Sequence, residues 1–209
     1  MRSNSPAILA LGLTLGAALR LLRVGTRWDE LTMAYAAYAE PLVRSVEEGH
    51  PTALIGNWIG LHPPLHGTIH ALMEVIWPAP ILWLLFSALS SWGAVFVVAR
   101  VGGPVAGLVL ATAPVHVIDA AEVNNYPLTS LAVATLLWAA QKRWPVLAAA
   151  AVFAGWSHIL GGIAAVSVVG WRLLWGPPVA RGALVGSVIL GLMPIAGGAA
   201  RLMSMSSTW

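Results

Sequence analysis

The sequence predicts an all-α integral membrane protein: one membrane domain, residues 1–209, with about seven transmembrane helices and a long first outer loop, residues 25–80, carrying two amphipathic surface helices. Three observations predict it. Hydrophobic residues fill 58% of the 209 positions and charged residues only 9%, far from the balance of soluble domains. The apolar residues fall into seven runs separated by Gly, Pro and short charged clusters, at intervals that suit successive membrane crossings. Threading the chain back and forth through a bilayer also sorts the acidic and basic residues to opposite sides.

The first run, residues 6–24, follows a short tail bearing Arg2 and closes with Arg20 and Arg23. With no small-residue cleavage site behind it, it reads as a retained span rather than a signal peptide. In the loop that follows, "DELTMAYAAYAE" (29–40) has helix-forming composition, and its leading acids suit the positive end of a helix dipole. Pro41 is expected to stop that helix. A second helix is expected in "LHPPLHGTIHALMEVIW" (61–77), since Pro63 and Pro64 suit a first turn, where the missing N–H would be unpaired in any case. On it His62, His66, His70 and Glu74 recur every four residues and drift by about 40° per step, forming one polar stripe. Leu65, Ile69, Leu72, Met73 and Ile76 run beside it, the pattern of an interfacial helix with its polar edge available. Two readings of that edge stay open: plain solvation, or a divalent metal held by His66 and His70 with Glu74. The HExxH pattern with its catalytic glutamate is absent.

Further runs lie at 81–99, 104–118, 127–140, 144–156, 159–175 and 183–200. The stretch from 144 to 171 is too short for two complete crossings, which need about 40 residues. It reads either as one long tilted span or as a hairpin of short helices broken near Ser157-His158 and Gly161-Gly162. With the N-terminus cytoplasmic and the hairpin formed, Arg2, Arg100, Lys142, Arg143, Arg172 and Arg181 fall inside, as the positive-inside rule requires. All eight acidic residues then lie at the outer face, and all six histidines lie there or at outer span ends. Loop bias explains the basic residues but not the histidines, so the outer face is the expected site. The net charge of +3 with no basic stripe argues against nucleic acid, and the absence of cysteine excludes disulfides and cysteine-ligated metals. A transporter is disfavoured because no charge sits at mid-membrane in a later span.

Four segments carry a resemblance. "ALRLLRVGTRWDELTMAYAAYAE" (18–40) resembles the start of the polyprenol-dependent glycosyltransferases of the C-type membrane fold, which include protein O-mannosyltransferases and aminoarabinose lipid A transferases; there an arginine-rich span end leads to a tryptophan and a DE pair. "HPPL" (62–65) resembles their HPPLY segment. "APVHVIDAAEVNNYPLTSLAVATLL" (113–137) is similar to their proline-ended span followed by a glutamate, a basic residue and a Tyr-Pro-Leu opening the next span. "GWSHILGG" (155–162) resembles their histidine-centred helix break, which favours the hairpin. Order and spacing agree across the chain, which covers the family's seven-span module.

The resemblance implies sugar transfer from a polyprenyl-phosphate-linked donor to an acceptor at the outer face. Asp29 would be the general base and Glu30 would orient the site. Arg23, Arg27, His62 and His66 would surround the leaving phosphate, and Glu122 with Tyr126 would hold the donor. Asn124, standing where the family pattern has arginine, and His158 at the helix break complete the substrate-binding set. An aspartate at position 29 would also serve as a helix N-cap. The implied partners are the donor lipid, membrane lipids and further membrane subunits. Compactness and the wealth of Ala, Gly and Arg point to a bacterial inner membrane, with the site on its periplasmic side. The alternative is a non-catalytic module of this kind that binds lipid or serves in a larger membrane complex.

Overall fold

The computed structural model describes residues 5–24, 40–50, 65–77, 79, 81–121, 124–176 and 180–206. Their secondary structure is all α, as expected, with no strand among the described residues. In chain order the helices are α1 (Ser5–Val24), α2 (Glu40–Glu47), α3 (Leu65–Ile76), α4 (Ile81–Gly102) and α5 (Pro104–Thr112). They continue with α6 (Pro114–Asp119), α7 (Tyr126–Ala139), α8 (Trp144–Ser157), α9 (Ile159–Trp175) and α10 (Arg181–Ser206). Helices α5 to α8 each carry proline in the first turn, where its fixed φ is pre-set for helix and its lost donor costs nothing.

Local chemistry places the breaks, and two differ from the expected ones. Pro41, read as a stop, lies inside α2 next to its first residue, a position that tolerates proline for the reason just given. The run at 104–118 is not one helix: Ala113, at φ −60° and ψ 119°, separates α5 from α6, because a residue before proline is pushed out of the helical region. Of the two readings for 144–171, the hairpin is the one observed. His158 alone separates α8 from α9, with extended backbone at φ −169° and ψ 160°.

Around this hairpin α8 packs on α7, α9 and α10, while α4 joins α7 to a second group formed with α1 and α5. The core centres on Leu136, Leu147, Ala150, Ala154, Ala165 and Val169. Leu147 and Ala150 of α8 meet Ala165 and Val169 of α9, as an antiparallel pair should. Small residues let the backbones approach closely, the usual device where van der Waals packing holds apolar helices together. At Gly161 an added Cβ would collide with the carbonyl of Ala154, so only glycine fits against that last turn of α8.

Alongside the apolar core, several polar side chains are buried and several large apolar ones exposed. Arg20, His66, His70, Ser91, His116 and His158 are buried, whereas Leu22, Ile76, Trp77 and Leu174 are each more than two-thirds exposed. Helix α3 shows it most clearly: His66, His70 and Ala71 face inward, and Leu72, Val75 and Ile76 face out. Its histidine edge is therefore not solvated, as one reading had it, because that edge is the contact face toward α4. Among the described residues, two helices are long and apolar enough to cross a membrane, at Pro6–Arg23 and Ile81–Gly102, and shorter apolar helices occupy Tyr126–Ala139, Trp144–Ser157, Ile159–Trp175 and Arg181–Gly197.

Candidate functional site

Three polar groups inside the bundle can do chemistry or hold ligands. The first sits between α3 and α4. His66 and His70, one turn apart, bring their Nε2 atoms to 2.9 Å, a hydrogen bond in which one ring donates and the other accepts. The His70 ring lies 4.4 Å from Trp83 and edge-on to Phe86 at 5.5 Å, centroid to centroid. Burial, and then the charge His66 can carry, hold His70 far below the usual histidine range, so its ring is neutral at physiological pH. Two histidines on one helix face are a fragment of a metal site, and a closed site takes four ligands. No group of three or more metal-ligating side chains occurs among the described residues.

A second group joins four helices, α1, α4, α5 and α6. The guanidinium of Arg20, in the last turns of α1, donates through Nε to Ser91 Oγ at 2.8 Å and through Nη1 to the carbonyls of Gly16 and Ala111 at 2.9 and 3.2 Å. Ser91 Oγ also lies 3.1 Å from His116 Nε2, and that nitrogen is 3.2 Å from the Ser91 carbonyl. All contacts are met together when Ser91 donates its hydroxyl hydrogen to the His116 carbonyl at 3.3 Å and His116 carries its proton on Nε2. Arg20 Nη2 is buried with no hydrogen-bond partner among the described residues.

The third group lies where α6 passes into α7 beside the α8–α9 turn. Asn124 Oδ1 accepts from the backbone N–H of Tyr126 at 2.9 Å, closing a local turn that launches α7. Exposed Tyr126 faces buried His158 with ring centroids 5.6 Å apart. His158 Nδ1 accepts from the Leu160 N–H at 3.2 Å and so caps α9, which puts the neutral ring's proton on Nε2. Helix α3 also touches α8, whose far end carries this turn.

Of the residues singled out from the sequence, Tyr126 and His158 meet, Asn124 adjoins them, and His66 pairs with His70. Arg23 is half-buried in the last turn of α1. Asp29, Glu30, Arg27, His62 and Glu122 lie outside the described residues. Sequence reasoning missed the Arg20–Ser91–His116 group. Its one visible signal was an arginine inside an apolar run, which in a bilayer marks a functional or structural partner set. Compared with known proteins, the chain matches no family model, no curated protein and no solved structure, so the chemistry of its own residues carries the functional reading.

Proposed function

We propose that this chain is an integral membrane glycosyltransferase that moves a sugar from a polyprenyl-phosphate-linked donor to an acceptor, at the periplasmic side of a bacterial inner membrane. The membrane part draws on the large apolar side chains exposed along the helices, among them Leu22, Ile163 and Leu174, and on the polar side chains buried and paired inside the bundle, a distribution that a lipid solvent favours. Seven spans would be α1, α4, α5 with α6, α7, α8, α9 and α10. Helices α7 and α8, each 14 residues, reach about 21 Å at 1.5 Å per residue, short of a core of about 30 Å, so local thinning or flanking polar residues would complete the crossing.

One observation supports the transferase part beyond the motifs themselves: Tyr126, from the segment resembling the family's Tyr-Pro-Leu motif, meets His158, from the segment resembling its helix break, although 32 positions separate them. In the mechanism Asp29 removes a proton from the acceptor hydroxyl or amine as that atom bonds to the anomeric carbon. The bond from that carbon to the phosphate oxygen breaks, and polyprenyl phosphate leaves with the electron pair. Arg23, Arg27, His62 and His66 would stabilise the departing anion, and no general acid is needed because a phosphate leaves unprotonated. Asp29→Asn keeps size and capping ability but not basicity. Sugar transfer in nanodiscs should fall by roughly 10² to 10⁴, and transfer unchanged by the substitution would remove Asp29 from this role.

A specific observation favours the non-catalytic module as a second reading. The position where the resemblance has arginine holds Asn124, whose Oδ1 is committed to the turn at Tyr126. Donor binding by wild type without transfer to any acceptor hydroxyl or amine would select this reading.

A further inference from the structure

We infer that the groove between the ends of α4, α7 and α9 binds the phosphodiester headgroup of an anionic phospholipid, with Arg172 as its cationic ligand. The inference rests on the membrane reading above and is independent of the transferase reading. The groove has a volume of about 570 Å³, and its lining combines Val101, Leu137 and Val168 with Gln141, Trp171 and Arg172. That volume lies within the range of about 300–1,000 Å³ typical of small-molecule sites. A lining with both apolar and polar residues suits an acyl chain together with its headgroup.

Charge selects the headgroup. Arg100, Lys142, Arg143, Arg172 and Arg181 all come from this end of the bundle, and from residue 123 to the C-terminus the chain has no Asp or Glu at all. The neighbouring groove on the other side of α7, about 420 Å³ and lined by Phe96, Arg100 and Trp138, shows why Arg172 is the ligand. There the Arg100 guanidinium sits over the Phe96 ring at 5.2 Å, and Lys142 Nζ sits over Trp138 at 4.9 Å, so each cation already has an aromatic face. Arg172 Nε, by contrast, is buried with no hydrogen-bond partner among the described residues. A buried donor on a charged group demands an acceptor, and a phosphate oxygen supplies a charge-assisted one. Trp171 beside it is half exposed, the placement of an indole at a headgroup boundary. Basic pockets between helices on the positive side of a membrane protein are where acidic headgroups bind.

The test is native mass spectrometry of the whole chain released from nanodiscs of mixed phosphatidylcholine and phosphatidylglycerol. Wild type should retain phosphatidylglycerol in excess of its share of the bilayer, and Arg172→Gln should cut that excess about fivefold, the worth of one basic side chain near an anionic surface. Arg172→Lys should keep most of the excess, and Arg100→Gln should leave it largely intact. A phosphatidylglycerol share equal to that of the bilayer in wild type, or an excess unchanged in Arg172→Gln, would overturn the inference. Displacement of the lipid by inorganic phosphate would overturn the lipid assignment and leave a site for free anions. A chain that stays soluble and monodisperse without detergent would overturn the membrane reading and this inference with it, whereas failed sugar transfer with retained phosphatidylglycerol would touch only the transferase.

Discussion

The two ends of the bundle handle polar groups in opposite ways. Where α4 begins and α8 turns into α9, His66, His70 and His158 are buried. At the other end Arg100, Lys142, Arg143 and Arg181 are exposed. An imidazole can shed its proton and enter the fold as a neutral hydrogen-bonding ring, whereas a guanidinium or ammonium keeps its charge and stays where its head can be solvated. Arg20, the most deeply buried arginine among the described residues, shows the cost. It is buried only because Gly16, Ser91 and Ala111 all present oxygens to it.

The largest expected effect breaks the hairpin on which both ends depend. Gly161→Val would force a side chain into the Ala154 backbone, and backbone cannot yield as a side-chain tip can. The loss should be about 3 kcal/mol or more, read as helix content against denaturant in detergent. An unchanged midpoint would show that α8 and α9 do not pack as described.

Ser91→Ala comes next, since it leaves the Arg20 Nε–H facing no acceptor. It should cost about 1–3 kcal/mol, and Ser91→Thr, which keeps the hydroxyl, should cost less. Equal melting temperatures for Ser91→Ala and wild type would mean that the Arg20 group contributes nothing to holding α1, α4 and α6 together.

Acidification should sharpen the contrast between the ends. The folded-state value of His70 lies below that of the unfolded chain, so as the pH falls the unfolded chain takes up a proton first. The stability held by neutral His70 is complete above about pH 6.5 and is lost as the pH drops below it, by at most about 1.4 kcal/mol per unit. Melting temperature between pH 7 and 5 measures this. His70→Phe keeps an aromatic ring against Trp83 and Phe86 and cannot protonate, so its melting curve should be flatter with pH. An equally steep acid limb in that variant would assign the titration to another group.

The smallest effect belongs to the exposed cations. Lys142→Met removes a cation from the Trp138 face and should cost about 0.5 kcal/mol, measured by thermal melt, with the difference shrinking further in high salt. A loss as large as that of Ser91→Ala would erase the distinction between the two ends.

Much of the fold was legible in the sequence. Apolar runs marked most of the helices, and the runs opening on the prolines at 104 and 127 marked two of their starts. Pro41 and Pro114 misled for one reason: proline ends a helix before it or opens one after it, and the letter alone does not say which. The site was legible only in pieces. His66 and His70 read as one stripe because helical spacing guarantees it, but the same stripe serves a solvated edge or a buried contact equally well.

The sequence by itself determined helical class and where most of the helices lie, because composition, period and capping act within a few neighbouring residues. Only the tertiary structure decided which face of α3 is buried, that the break at His158 folds α9 back on α8, and that Arg20 reaches Ser91, 71 positions away, and through it His116. Those outcomes depend on which helices pack side by side. A polar group's worth inside the bundle is set by the partner it meets there, and such partners are distant in the chain.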